Sequence, residues 1–179
     1  GMDFGYSPNK TAIMWNAYDR TTDTIYLYKD YKVGHQPPSI HAEAIRRQGN
    51  WIPIACDPSG NQGKTDGSKS IVAQYRDMGV KLYNAKNDID AGITEMYNRL
   101  ASGRLKVMQN CNHFIEEYNI YRFDEYGKIA GRQADDCMDA ERYAVMTGLR
   151  LALSMPEDDF GLKRPDRHRS TGRSGITGC

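Results

Sequence analysis

Ala134-Asp135-Asp136-Cys137-Met138-Asp139-Ala140-Glu141-Arg142-Tyr143-Ala144 places three aspartates in five residues, directly ahead of an apolar helical pattern that runs through Leu149 and Leu151. On a helix, Asp136 and Asp139 share a face at i, i+3, and Asp135 and Asp139 can share one at i, i+4. Carboxylates are favoured in a first turn, where the helix dipole is positive. Met138, Ala140, Ala144, Val145, Met146 and Leu149 are apolar around much of the circumference, which predicts a buried helix. A carboxylate cluster is thus carried at the mouth of a core element. The plain alternative is a helix start with surplus N-terminal acids, and only the rest of the chain can discriminate.

Working outward, the 179 residues suffice for one domain with a sizeable core. A net charge of +1 names no partner by global charge imbalance. The four cysteines (Cys56, Cys111, Cys137, Cys179) are scattered without a C-x-x-C pair and read as reduced thiols, not as a zinc site. No apolar run approaches membrane-spanning length, and no signal peptide is expected. The chain opens on Gly1 and enters a motif at once, which suggests a domain cut from a longer protein.

Met2 to Gly5 has strand character with an acid in it, followed by the turn chemistry of Tyr6 to Lys10. Thr11 to Tyr18 and Thr24 to Val33 read as two further strands, so an antiparallel meander is predicted. Helices are predicted at Ile40 to Gln48, Ser70 to Met78, Asp88 to Ser102 and Asn112 to Tyr118, with Ser70 or Ser68 capping the second. Gly49, Gly79 and Gly103 stop the first three. Trp51 to Cys56, Val80 to Asn84 and Leu105 to Met108 read as short buried strands, and Asn119 to Ile129 as a hairpin turning at Glu125 to Gly127. The expected fold is α/β: a mixed sheet of an antiparallel three-strand meander plus parallel strands, with helices on both faces. The expected domain spans 1–155. Residues 156–179 form a basic Gly/Arg-rich tail, with five Lys/Arg and one acid from Phe160 onward.

In this order Asp3 lies on the first strand, Asp57 at the end of the strand after the meander, and Asp136 and Asp139 at the start of the last core helix. Strand ends and helix starts at one sheet edge are where sites form. Clustered carboxylates raise one another's pKa and need a cation to remain ionised together. Oxygen-only donors select hard ions, Mg²⁺ or Mn²⁺. Two such ions roughly 4 Å apart can activate water and stabilise the leaving oxygen of a phosphodiester.

The strand start G-M-D-F-G, the strand end I-A-C-D-P-S-G and the run D-D-C-M-D-A-E-R-Y-A together resemble the nuclease domain of the large terminase subunit of tailed bacteriophages. The resemblance covers Gly1 to about Leu153 and implies an RNase H-like fold related to RuvC-type resolvases. By position it makes Asp3 the first-strand metal ligand, Asp57 the second acid, and Asp139, or Asp136 one turn earlier, the last. Asp135 is a further possibility, ranked below the i, i+3 pair. The implied activity is metal-dependent endonucleolytic cutting of double-stranded concatemeric DNA during genome packaging, with Mg²⁺ or Mn²⁺ and two ions. The implied partners are double-stranded DNA, an ATPase motor domain preceding this one in the chain, the portal and the small terminase subunit. The implied setting is the cytoplasm of the infected or lysogenic bacterial host.

Gly60-Asn61-Gln62-Gly63-Lys64-Thr65 mimics a P-loop but has two residues where the Walker pattern needs four, so no nucleotide site is expected there. Lys64, Lys69, Arg164 and Arg167 are candidate phosphate contacts, with Lys163, Arg169 and Arg173 beside the last two; a solvated loop and a docking tail are the alternatives. Tyr75, Tyr97, Tyr118 and Tyr143 are read as core or half-buried aromatics, and His41 and His113 as surface or capping residues. A RuvC-like resolvase acting on branched DNA, and a non-catalytic nucleotide- or DNA-binding domain of related fold, remain as alternative functions.

Overall fold

Met2–Asp3 (β1), Thr11–Asp19 (β2) and Thr24–Val33 (β3) form the antiparallel meander that the β-rich start of the chain predicts. The computed structural model describes residues 1–5, 10–63, 67–125, 129 and 133–156. Ile54–Cys56 (β4) adds in parallel to β1, Leu82–Asn84 (β5) in parallel to β4, and Leu105–Val107 (β6) in parallel to β3. The sheet order is β5-β4-β1-β2-β3-β6, so β1 sits inside the sheet although it is only two residues long.

The pairing of β2 with β3 shifts by one residue. Trp15 faces Lys29 but Asn16 faces Leu27, which leaves Tyr28 as an extra residue on β3. Directly opposed residues share a sheet face. Ile25 and Leu27, before the bulge, therefore face the same side as Asp30 and Lys32 after it.

Two cores result, one on each side of the sheet. On one face Ile13, Trp15 and Met2 pack against Pro38–Arg46 (α1) and Ile71–Asp77 (α2) through Ala42, Ile45, Val72 and Tyr75. On the other, Ala12, Met14, Ile25 and Leu27 pack against Ile89–Ala101 (α3), Asn112–Ile120 (α4) and Asp136–Tyr143 (α5). A π-helical turn at Ala144–Gly148 and the short α6 at Leu149–Leu151 continue α5. Local signals explain the ends. Ser70 Oγ accepts from Ala73 N–H at 3.2 Å, Asp88 accepts from Ala91 N–H at 3.1 Å, and Gly79 and Gly103 follow their helices at φ +82° and +70°.

Several expectations need correction. α4 runs on to Ile120, past the expected Tyr118; beyond it Phe123 and Ile129 form an antiparallel bridge on either side of the expected turn, of which Tyr126 and Gly127 lie outside the described residues. The buried stripe of α3 is Gly92, Met96 and Arg99, so Tyr97 is 70% exposed and Ile89 largely so. Tyr118, at 50% exposed, is half-buried as expected, and Tyr75 and Tyr143 are core. His41 is not on the surface: it is buried, and its Nδ1 shares a hydrogen bond with the Tyr31 hydroxyl at 2.8 Å. An α1 position facing the sheet becomes core whatever its polarity, provided a partner is within reach.

Gly60, in the 3₁₀ turn Pro58–Asn61, is buried against the Phe4 ring; a Cβ there would lie 2.5 Å from Phe4 Cε2. Gly60→Ala is expected to lower the unfolding free energy by about 1–3 kcal/mol through overpacking, read as a lower urea midpoint at unchanged slope.

Candidate metal centre

Asp3 ends β1 and Asp57 follows β4 directly. Met2 pairs with Cys56, and Asp57 N–H donates to the Met2 carbonyl at 3.1 Å, so the two aspartates leave neighbouring parallel strands side by side. The Asp57 carboxylate also caps the 3₁₀ turn, accepting from Ser59 N–H at 2.9 Å and from the Ser59 hydroxyl. Helix α5 packs across β1 and β2 and brings Asp136 and Asp139, both in its first turn, over the same sheet edge.

The four carboxylates sense one another. Burial pushes the Asp3 carboxyl up, and the charges of Asp139, Asp57 and Asp136 push it further, to about 8. Burial also raises Asp139, with Asp57 and Asp136 adding to the effect and Arg142 opposing it. Asp135, at the N-cap position but making no capping bond, is raised to about 6 by burial and then by Asp139, Asp136 and Glu117. Asp3 and Asp57 thus end neighbouring strands, and the charges of Asp139 and Asp136 act on Asp3 and on Asp135.

Three residues that sequence reasoning passed over organise this edge. Arg142 is 2% exposed. Its Nε and Nη2 donate to Asp139 Oδ1 at 3.2 and 3.1 Å, its Nη1 donates to Asn87 Oδ1 at 3.0 Å, and its guanidinium lies 4.6 Å from the Tyr143 ring centroid. Gly92 of α3 makes room for it, since a Cβ there would come within 2.5 Å of Arg142 Cγ. Lys32 of β3 pairs with Asp136 Oδ2 at 2.9 Å and also with Glu117 Oε1. Burial alone would lower the Lys32 pKa, but its hydrogen bonds to Glu117 and Asp136 outweigh that and raise it. The other Glu117 oxygen accepts from the N–H groups of Cys137 and Met138 at 2.7 and 3.1 Å, so α4 supplies the N-terminal cap of α5. Of the adjacent acids Glu116 and Glu117, it is Glu117 that turns inward, at 3% exposed.

Among the candidate phosphate contacts, Lys69 is exposed and pairs with Asp77 across α2. Lys64, Lys163, Arg164, Arg167, Arg169 and Arg173 lie outside the described residues.

The donor set fits a hard divalent ion: Asp3, Asp57 and Asp139 come from three elements and offer only carboxylate oxygen, and the charges of the other two disfavour ionised Asp3. Among the described residues no three carboxylate, imidazole or thiolate side chains are closed up around a single point. A carboxyl raised on folding favours the folded state in acid, and that contribution is lost as pH rises from the unfolded value of 3.8 through the folded one. In EDTA the melting temperature is expected to fall between pH 5 and about 8, and Asp3→Asn is expected to flatten that fall; a pH-independent melting temperature would contradict the cluster.

Comparison with known proteins agrees with this fold. The family described as the Terminase RNaseH-like domain matches residues 1–147. The large terminase subunit of Enterobacteria phage LP7 is 31% identical over 156 residues, covering 83% of this chain and 32% of that protein, so the chain spans about a third of this relative. The nuclease domain of the P22 large terminase superposes with a TM-score of 0.74 at 30% identity, over 83% of this chain and 79% of that structure. The large terminase nuclease domain of phage SPP1, solved with bound Mn, shares the fold at a TM-score of 0.60 and 22% identity, over 80% of this chain and 82% of that one. With its six-stranded mixed sheet, its helices on both faces and its carboxylates gathered where β1, β4 and α5 meet, this chain belongs to the terminase RNase H-like nuclease domain family.

Proposed function

We propose that this domain is a Mg²⁺- or Mn²⁺-dependent endodeoxyribonuclease that cuts double-stranded concatemeric viral DNA during genome packaging. The observation that carries this reading is the electrostatic coupling of Asp3, Asp57 and Asp139 on three converging elements. Such a group costs stability while its charges lack a cation, and a bound divalent ion would supply one. The SPP1 relative's bound Mn supports the choice of ion.

Bound divalent ions, two in the reading that DNA-cleaving carboxylate sites favour, would supply Lewis acidity and lower the pKa of the attacking water. The chain's own residues supply the frame. Asp3 and Asp57 present oxygens from adjacent rigid strand ends, and Arg142 fixes the rotamer of Asp139 by a two-point hydrogen bond to one oxygen. Lys69 is exposed, and in this reading it meets a phosphate backbone without reading sequence.

The partners that accompany this reading are double-stranded DNA, an ATPase motor domain elsewhere in the same protein, the portal and the small terminase subunit, in the cytoplasm of the bacterial host. The chain's coverage of about a third of the LP7 relative is consistent with a motor on the remaining length. We assign 1–155 to the nuclease and 156–179 to a basic extension that reaches DNA or packaging partners.

Supercoiled plasmid incubated with Mn²⁺, Mg²⁺ or EDTA tests the activity. Nicking and linearisation should require metal and should fall by about 100-fold or more in Asp57→Asn and Asp139→Asn, whose melting temperatures show them folded. Cutting that survives both substitutions would refute the site. Arg142→Lys keeps the charge but loses the two-point geometry, and is expected to lower the rate by about 10- to 100-fold at saturating metal.

A further inference from the structure

Asp3, Ala12 and Lys32 lie in one row across the sheet. Asp3 is paired with Ala12 across β1 and β2, and Ala12 with Lys32 across β2 and β3. All three side chains therefore leave the same face, with the acid and the lysine two strand spacings, about 10 Å, apart. Ala12 is fully buried and too small to fill the gap, and the first turn of α5 lies over it. Asp136 and Asp139 are separated by three residues, about 4.5 Å along the helix axis. The turn thus straddles the row: Asp136 reaches Lys32 at 2.9 Å, whereas Asp139 is the carboxylate that weighs most on Asp3.

The two first-turn acids consequently have different surroundings. Asp136 is buried in a closed network with Lys32 and Glu117, and Glu117 is itself fixed by the Cys137 and Met138 N–H groups. Turning Asp136 towards an ion beside Asp3 would strip a lysine whose side chain is only 10% exposed of one of its two anions. Asp139 is less buried, and Arg142 engages only its Oδ1. Among the described residues, no salt bridge engages Asp3 or Asp57.

We infer that Lys32 is the resident cation of this edge: by holding Asp136 in an ion pair it withdraws that carboxylate from metal binding, so that the DNA-free domain takes one divalent ion on Asp3, Asp57 and Asp139. Asp136 is then a positioning residue for the start of α5, and a second ion has no complete protein-only seat. This rests on the metal-centre reading above and narrows it, since sequence pattern alone placed Asp136 and Asp139 together as ligands.

Mn²⁺ titration of the DNA-free domain, by calorimetry and by electron paramagnetic resonance of the free ion, tests the inference. Wild type should bind one ion per chain. Asp136→Asn should keep that stoichiometry with a Kd within about threefold, while Asp57→Asn and Asp139→Asn weaken binding by at least about tenfold. Lys32→Gln should free Asp136 and bring in a second ion; a merely structural lysine would lower the melting temperature and leave the count at one. If Lys32→Gln fails to fold, Asp136→Asn still decides, because it leaves the Lys32–Glu117 pair in place. Loss of binding in Asp136→Asn equal to that in Asp57→Asn would overturn the inference. Wild-type binding of two ions, falling to one in Asp136→Asn, would overturn it as well. If neither Asp57→Asn nor Asp139→Asn weakens binding, the metal-centre reading itself fails, a result separable from the first two.

Discussion

The Glu117 carboxylate is the joint on which the edge of the molecule depends. One oxygen closes the N-terminus of α5 and the other binds Lys32, so helix α4, helix α5 and strand β3 meet at a single side chain. A helix end otherwise leaves N–H groups without partners, and a buried end cannot give them to water. Asp135, the local candidate for the cap, makes no capping bond. The cap comes instead from a residue 20 positions earlier, and it arrives charged. That fixes the height and rotation of α5 over the sheet, and with them the place of Asp139. Removing one member of a buried charged group leaves the others uncompensated, at about 3–5 kcal/mol. The network therefore specifies position more than it adds net stability.

Arg142 works in the same way on the opposite flank. A guanidinium at 2% exposure needs all its donors placed, and Asp139, Asn87 and the Tyr143 ring supply that shell. Gly92 is what lets α3 approach closely enough for the arginine stem to lie flat. Asp139 thus has a fixed cation behind it and carboxylates in front. Its pKa reflects both, raised by burial and by Asp57 and Asp136 and restrained by Arg142.

How much of this was legible follows from which forces act locally. The meander, the parallel additions, the helix caps and the burial of α5 are written in hydropathy periods and in Ser, Asp and Gly at helix ends, and they can be read directly. The candidacy of Asp3, Asp57, Asp136 and Asp139 was legible because each acid stands at an element end. Lys32 was not, because strict alternation through Thr24–Val33 would put it on the face opposite Leu27. The extra residue at Tyr28 reverses the parity, and nothing in the composition of that strand announces a bulge. The inward turn of Glu117, and the burial of His41 and Arg142, were likewise hidden. Hydropathy sends such side chains outward, and only partners distant in sequence bring them in.

The two-residue strand β1 has a consequence for how the domain comes to be. It supplies Asp3, yet it is held only by β2, by β4 and by α5 lying across it, the last more than 130 residues away along the chain. Loop-closure entropy makes contacts of such separation late and slow to form. Asp136 and Asp139 therefore join Asp3 and Asp57 only when α5 docks. Docking of that one helix completes the carboxylate edge, so a chain that stops short of α5 carries Asp3 and Asp57 side by side and neither Asp136 nor Asp139.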